Sequence, residues 1–560
     1  MTSNVFSVLN TAKVGLLAQQ LAIEVTGQNI ANVQTEGYSR QEINFEAKNA
    51  RHTSMGQIGT GVRVVGIKRA HDKFLFSQIL GEGDRLGEFG VRKDIFEQLE
   101  VLFSESNGQG LNQNLGKFFS TLQDLSSNPT GLPERSNVIA EAKNLKAMFN
   151  KLGESIFQIQ RNLDTTVKVE SVKINSYISE IAELNAAIHA NEPGNFSAND
   201  LRDKRDKKVK ELSELIDLNF VDEMDGQISL TLKNGTPLVL RSKAFTLSTQ
   251  INGNNKGFQD ILVSGLSGTS TNVTGIVTGG SLKGLIDMRD KEIPAIKDKL
   301  DRLATGFIQE FNNIHQDGFG LDGTTGNNFF EPPSVSTEIN TNNNGTATLT
   351  ATNGNPSTIS NDKYEIKITN ASTFTLKNLT TGAASGTYSF TEGSTFNIAG
   401  GFAVSISSGS TAGDKFKFSI SENAAQTFAI SSDVASNSNK IAAGLNSSSD
   451  GANALSLIGL QSRLSFNGIT HIGGGSGAFT FNEFYNSIVS DLGVQSFSTQ
   501  ATLEQQEGIL LQLNNRRESK SGVSIDEEFI NMVKFQQAYN ASARLIGVVD
   551  ELLDTVISQV

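Results

Sequence analysis

Residues 525–560 read IDEEFINMVKFQQAYNASARLIGVVDELLDTVISQV, and in that run Ile525, Met532, Tyr539, Ile546, Leu553 and Val560 recur at every seventh position, with Phe535, Val549 and Val556 beside them. A strict period of seven keeps one stripe of a helix turned toward a partner helix, so the run predicts one strand of a coiled coil. The opposite end of the chain carries a matching repeat. Leu9, Leu16, Ile23 and Ile30 share one heptad position, and Val5, Ala12, Gln19 and Thr26 share the companion position. Neither stripe can be buried by its own helix. Each could be core of its own domain, or the two ends could pair with one another and with neighbouring subunits.

The residues just beyond the first stripe narrow the choice. Asn29-Ile30-Ala31-Asn32-Val33-Gln34-Thr35-Glu36-Gly37-Tyr38-Ser39-Arg40 ends a helix with Asn and Gly and continues extended. Asn29, Asn32, Thr35, Gly37 and Tyr38 in this run resemble the N-terminal signature of the bacterial flagellar rod, hook and hook-associated proteins, with Glu36 where many relatives carry Pro. Gly522-Val523-Ser524-Ile525-Asp526-Glu527-Glu528-Phe529, followed by Phe535-Gln536-Gln537-Ala538-Tyr539, resembles the matching C-terminal signature. Within that superfamily, the uninterrupted helical stretch from Glu134 to Ile188 and the order of elements after it resemble the hook-associated protein 1 family, whose members form the hook-filament junction.

The resemblance implies a structural component of the flagellum, exported through the flagellar type III apparatus on an uncleaved N-terminal signal. Its implied partners are other copies of itself in a ring or helical layer, the hook protein, a second hook-filament junction protein, and an export chaperone before secretion. Paired terminal helices give an unassembled subunit an uncovered apolar face, and head-to-tail repetition of such a contact builds a ring or tube.

Bulk composition agrees with a modular, exported chain. At 560 residues, a prior of about 100–200 residues per domain predicts several domains. A hydrophobic fraction of 37% permits packed cores, and a net charge of −12 without a basic patch argues against nucleic-acid binding. There is no cysteine, so neither a disulfide framework nor a thiolate site is available. The N-terminus lacks a basic leader and an unbroken apolar run, so neither a cleaved signal nor membrane insertion is expected.

Along the chain, Glu134 to Ile188 contains one Gly and no Pro, predicting a single long helix. Ala142, Leu145, Phe149, Leu152, Ile156, Ile159 and Leu163 form its stripe, which resumes after a one-residue shift at Val167, Ile174, Tyr177, Ile181, Leu184 and Ile188. Residues 199–206, Asn-Asp-Leu-Arg-Asp-Lys-Arg-Asp, are dense in both charge signs and read as a solvated helix face. Ile228, Leu230 and Leu232, then Asn234-Gly235 and Leu238-Val239-Leu240, predict a hairpin. A second helical stretch follows Gly279-Gly280, with Pro294 as a kink or restart. From Glu331 to Ile430 twelve of one hundred residues are charged, against 19% overall, and Tyr364/Ile366/Ile368, Phe374/Leu376, Tyr388/Phe390, Phe402/Val404/Ile406 and Phe416/Phe418/Ile420 alternate with polar residues. This pattern predicts an antiparallel surface module.

The expected fold is therefore multidomain α+β: an elongated helical bundle formed by both termini, with β-rich modules projecting outward. The expected division is 1–105 N-terminal axial region, 106–198 long-helix bundle, 199–330 hairpin module and returning helix, 331–430 Ser/Thr/Asn-rich β module, and 431–560 C-terminal helical region pairing with the N-terminus. No catalytic, cofactor or metal site is predicted. The five histidines, His52, His71, His189, His315 and His471, nowhere share the spacing that puts two ligands on one helical face. Asp317-Gly-Phe-Gly-Leu-Asp-Gly323 lacks the alternating oxygen ligands of a calcium loop and reads as a turn. Gly59, Gly61 and Gly66 flank a β-like Val62-Arg63-Val64-Val65 and do not open a phosphate-binding helix. The alternative function is an extracellular adhesin-like or antigenic surface protein carried on the flagellum, with residues 331–430 as the binding surface.

Overall fold

The computed structural model describes residues 2–53, 56–105, 110–193, 197–265, 268–354, 359–467, 471–472 and 479–558. The chain opens with helix α1 (Thr2–Ala31) and closes with α12 (Ile525–Ser558). After α1, β1 (Gln41–Ala47) pairs antiparallel with β4 (Val62–Arg69), with a bulge at Asn44/Phe45 where Gly66 faces Asn44, while β2 (Arg51–Thr53) and β3 (Gly56–Ile58) form a small hairpin between them. Helix α2 (Lys73–Phe103) starts at Asp72, whose carboxylate accepts from the Phe74 and Leu75 amides at 3.1 Å, and lies against α11 (Phe481–Ser521). Lys520 meets Asp72 at one end, and Tyr485 lies near Phe103 at the other, so the two helices run antiparallel.

Helices α3 (Leu111–Ser127), α4 (Leu132–Asn191) and α5 (Asn199–Ser213) come next. Helix α4 extends over 60 residues and begins with Pro133 in its first turn, a position where its missing N–H costs nothing. Its buried stripe differs from the one read in the sequence. The row runs Leu152, Ile156, Gln160, Leu163, Val167, Ser171, Ile174, Ile178, Ile181, Asn185, Ile188 without a slipped residue. Tyr177 and Leu184 are only half-buried. Three polar residues hold stripe positions because each finds an internal partner. Gln160 donates to the Arg289 carbonyl at 2.7 Å, Ser171 to the Val167 carbonyl, and Asn185 to the carbonyls of Ile228 and Arg241. An apolar pattern alone passes over such residues, so it registers a shift where there is none.

A four-stranded sheet packs beside these helices: β5 (Asn219–Asp222), β6 (Ile228–Thr231), β7 (Pro237–Leu240) and β8 (Lys243–Ala244). Gly235 takes φ +89° at the β6–β7 turn, where an L side chain would be strained. Strands β9 (Leu247–Ile251), β10 (Gln259–Ser264) and β11 (Ser270–Asn272) make a second sheet. Helix α6 (Gly280–Asp287) continues through a π-helical turn, Met288–Glu292, into α7 (Ile293–Asp317), with Pro294 at the restart.

Residues 336–419 form a two-sheet sandwich with its own core. One sheet has the order β12-β19-β14-β15-β16 and the other β13-β18-β17, from β12 (Ser336–Ile339), β13 (Leu349–Asn353), β14 (Tyr364–Asn370), β15 (Thr373–Asn378), β16 (Ala384–Ser389), β17 (Thr395–Asn397), β18 (Phe402–Ile406) and β19 (Lys415–Ser419). Tyr364, Ile366, Ile368, Phe374, Leu376, Phe402, Val404, Phe416 and Phe418 point into that core. The chain returns through short helices α8 (Ala424–Thr427), α9 (Ser432–Ser436) and α10 (Ala452–Ile458) and the β20 (Phe466–Asn467) and β21 (His471–Ile472) pair. The main core is rich in phenylalanine where α3, α4, α7 and the return segment converge. Phe329 and Phe330 lie 4.7 Å apart, Phe330 and Phe428 4.9 Å, and Phe149 stacks on Phe428 at 4.6 Å.

Candidate assembly interface on the terminal helix pair

Helices α1 and α12 pack along one another, and among the described elements they meet the rest of the chain mainly through β1 and β4. Asn29 touches Glu528 and Gly15 faces Ser542, so the pair is antiparallel. The positions of α1 that reach full burial are Ala12, Ala18, Ala22, Val25, Thr26 and Asn29. A Cβ on Gly15 would come within 3.3 Å of the Ser542 hydroxyl. Small side chains therefore line this seam and let the helix axes approach closely, since interaxial distance follows the side chains at the contact.

This corrects the stripe read from the sequence. Val5, Leu9, Leu16, Ile23 and Ile30 flank the seam and are half-buried rather than filling it. On α12 Met532, Tyr539, Ile546 and Leu553 are half-buried with Phe535, and Val549 is buried at 3% exposure. Ile525 is 44% exposed at the first turn of α12. Val560 lies outside the described residues. Gln536 and Gln537 face solvent, and Ala538 is half-buried.

Pairing leaves much apolar surface uncovered. On α12 Phe529 (52%), Ile530 (69%), Val533 (52%), Leu545 (42%), Val548 (51%) and Leu552 (52%) are exposed, and on α1 Phe6, Val8 and Leu17 are too. Scattered surface aliphatics need no explanation, but exposed large apolar side chains concentrated on one two-helix unit make it a candidate interaction surface. The first helix has few charges; Lys13 and Glu24 are the charged residues between Thr2 and Ala31.

The signature residues build the elbow where α1 ends. Asn29 is 1% exposed, and all its side-chain valences are used. Its amide donates to the Gln41 carbonyl and the Glu528 carboxylate at 3.0 Å, and its oxygen accepts from the Tyr38 hydroxyl and the Gln41 amide at 2.9 Å. One side chain thus ties the two terminal helices to β1. Asn32 donates to the Gln28 carbonyl, Thr35 donates to Asn32, and Gly37 makes the bend at φ +86°. Burial raises the Tyr38 phenol to about 12, with Asp200 and Asp203 adding to the effect, so it stays a donor at all physiological pH values. Glu36 pairs with Lys207 at 2.8 Å.

The charged stretch 199–206 is not a solvated face. Asp203, Arg205 and Asp206 are buried, and Arg69 spans Asp203 at 2.8 Å and Asp206 at 2.7 Å. The Ser39 amide and hydroxyl both donate to Asp203 at 2.9 Å, and Gln41 donates to Asp200. Arg205 reaches Asn185 on α4 and the Gly226 carbonyl. Burial lifts the Asp203 carboxyl above its ordinary range although Arg69 and Ser39 pull it down. Burial is tolerated here because every charge is partnered. The signal in the sequence is the spacing: Asp200, Asp203 and Asp206 sit three apart, on one face of a helix, and that face meets the elbow.

Among the described residues no group of three or more His, Asp or Glu could hold a metal ion. Asp322 accepts from the Thr324 amide and hydroxyl, as a turn residue does. His315 is buried, its Nδ1 lies 2.8 Å from the Asn327 carbonyl, and its Nε2 accepts from the Ala442 amide at 2.9 Å. It is a neutral structural histidine, which burial holds down to about 4. No described helix is long and apolar enough to cross a membrane.

Comparison with known proteins agrees with this architecture from end to end. Residues 96–330 match the family described as the flagellar hook-associated protein FlgK helical domain. Residues 9–38 match the flagella basal body rod protein family, and 516–559 the flagellar basal body rod FlgEFG protein C-terminal family. The chain is 27% identical to flagellar hook-associated protein 1 of Bacillus subtilis, over 100% of this chain and 99% of that protein. It is also 27% identical to flagellar hook-associated protein 1 of Escherichia coli, over 99% of each. Its fold is that of the flagellar hook junction protein FlgK from Burkholderia pseudomallei, with a TM-score of 0.68 at 20% identity, covering 80% of this chain and 100% of that one. A FlgK-type helical body, carried between two ends that each match the rod families and pair with one another, makes this chain similar along its whole length to flagellar hook-associated protein 1.

Proposed function

We propose that this chain is a structural subunit of the junction between flagellar hook and filament, joined to its neighbours through the outward apolar faces of the α1–α12 pair. The observation that carries the reading is the double character of that pair. Small residues close its internal seam, and large ones, Phe529, Ile530, Val533, Val548 and Leu552 among them, stay exposed. A monomer gains nothing from such exposure. In a layer of subunits each exposed face has a neighbour, and burial at about 25 cal/mol per Å² of apolar surface drives assembly.

The relatives are structural flagellar proteins, and they lend no support to the adhesin reading. The finer partners are further copies of the chain, the hook protein on one side, a second junction protein on the other, and a chaperone that covers the terminal faces before export. Deleting residues 336–419, the sandwich with its separate core, and scoring filament attachment separates assembly from display. Attachment should survive the deletion, because among the described residues the terminal pair packs on its own helices, β1 and β4 rather than on the sandwich. Loss of attachment in a folded deletion protein would place an assembly contact on the sandwich and refute this reading.

A further inference from the structure

Where the chain leaves the sandwich and returns to the helical body, a buried lysine and a buried acid meet an asparagine side chain. The Lys297 ammonium on α7 lies 2.9 Å from the Asn423 side-chain oxygen and 2.5 Å from the Asp301 carboxylate one turn along the same helix. Lys297 is 2% exposed and Asp301 1%. The acid is fixed from the other side as well. It accepts from the Asn423 backbone amide at 3.1 Å and the Ala425 backbone amide at 2.9 Å. Asn423 itself sits in the left-handed region at φ 64°, a conformation that sets its side chain back against α7. The neighbouring acid, Glu422, is committed elsewhere, to Lys256 at 2.7 Å and Lys363 at 3.0 Å.

We propose that Lys297 and Asn423 form an intramolecular isopeptide bond after folding, with Asp301 as the group that moves the protons. An ion pair between helix neighbours needs no third member. Here the Lys297 ammonium donates to the Asn423 side-chain oxygen, with Asp301 bonded to both residues, so amine and amide are held together as an intramolecular step requires. Asp301 takes one proton from the Lys297 ammonium, leaving the amine lone pair free to attack the Asn423 carbonyl carbon, while the acid's proton stabilises the developing oxyanion. A second Nζ proton passes through Asp301 to the side-chain nitrogen of Asn423. The Nζ–Cγ bond forms, the Cγ–Nδ2 bond breaks, and ammonia leaves as ammonium. Amine plus amide give amide plus ammonia, so no oxidant, reductant or water is consumed. Burial suits the carrier role, since it pushes the Asp301 carboxyl up to about 6, where it can both accept and give a proton.

The consequence is mechanical. The two residues are 126 positions apart and enclose the whole sandwich. A bond between them would close that loop at its base in a chain with no cysteine, restraining the unfolded chain as a disulfide does.

Intact-mass measurement on the folded full-length protein tests this. The wild type should be lighter than its sequence by one ammonia, and a tryptic digest should contain a branched peptide joining Lys297 to Asn423. Asn423→Ala, at an exposed position, and Asp301→Asn should both show the full sequence mass. Asn423→Asp should lose one water instead, by the same route. Folded wild type at full sequence mass with no branched peptide would overturn the proposal. So would an ammonia loss confined to a linear peptide, which marks a succinimide, and a cross-link that persists in Asp301→Asn would remove the acid from the chemistry.

Discussion

Asn29 satisfies four polar groups from three segments, so its loss is felt at each of them. In Asn29→Ala the buried Glu528 carboxylate and the Tyr38 hydroxyl lose their partner in the elbow, and unpaired buried polar groups cost about 1–3 kcal/mol each. The Gln41 amide and the last turn of α1 should then exchange hydrogen about a hundredfold faster, while the sandwich amides stay unchanged. Unaltered exchange at Gln41 would show that the node is redundant. His315 gives a pH signature. Its imidazole takes a proton near 6.5 in an unfolded chain and near 4 when folded. Between these values the unfolded state binds a proton that the folded state refuses, so stability complete above the upper value is lost as pH falls toward the lower one. Asp301, raised by burial, works in the opposite direction. The comparison is therefore wild type against His315→Gln, followed by denaturant titration at both ends of the window. The wild type should lose up to about 3 kcal/mol more than the variant, and equal losses would mean that His315 protonates in place. At this scale the sequence is partly legible. The signature residues Asn29 and Tyr38, and Glu528 in the C-terminal run, stand out by resemblance, whereas Arg69 and Asp203 do not, because these partners lie 134 positions apart.

Helices and strands follow period and punctuation wherever one face is apolar. Alternation marks the five strand runs from Tyr364 to Ile420, and Asn234-Gly235 marks the hairpin. Short edge strands such as β12, β13 and β17 carry too few apolar residues to register. The heptads tell which ends are helical but not which residues meet. Leu9, Leu16, Ile23 and Ile30 dominate the pattern because they are large, yet the close contact belongs to Ala12, Gly15, Ala18 and Ala22. Substituting Gly15→Leu should wedge the pair apart at Ser542, costing about 1–3 kcal/mol by overpacking and lowering hydrogen-exchange protection along the middle of α12. Leu17→Ala, on the exposed side, should change protection little. If Gly15→Leu is silent, the seam is not where the small residues lie. The α5 charges mislead for a related reason, since a charged helix face tells nothing of what covers it, and here the cover is an elbow far away in sequence.

In the whole molecule the proposed function makes the terminal pair the working part and the rest its carrier. The pair is closed within the chain by small residues and open to neighbours through large ones, so stability of the subunit and competence for assembly should be separable. Ile546→Asp and Val549→Asp place a charge in the seam and should loosen the monomer. Val533→Asp with Val548→Asp places two charges on surface that is already wet, leaving the monomer's helicity and melting unchanged. The direct measurement is electron microscopy of cells carrying the Val533→Asp/Val548→Asp chain as their sole copy, with its folding checked on the purified protein. Hooks without filaments, from a subunit that is exported and folded, is the result predicted; filaments of normal number and length would contradict the claim that these faces hold the junction together.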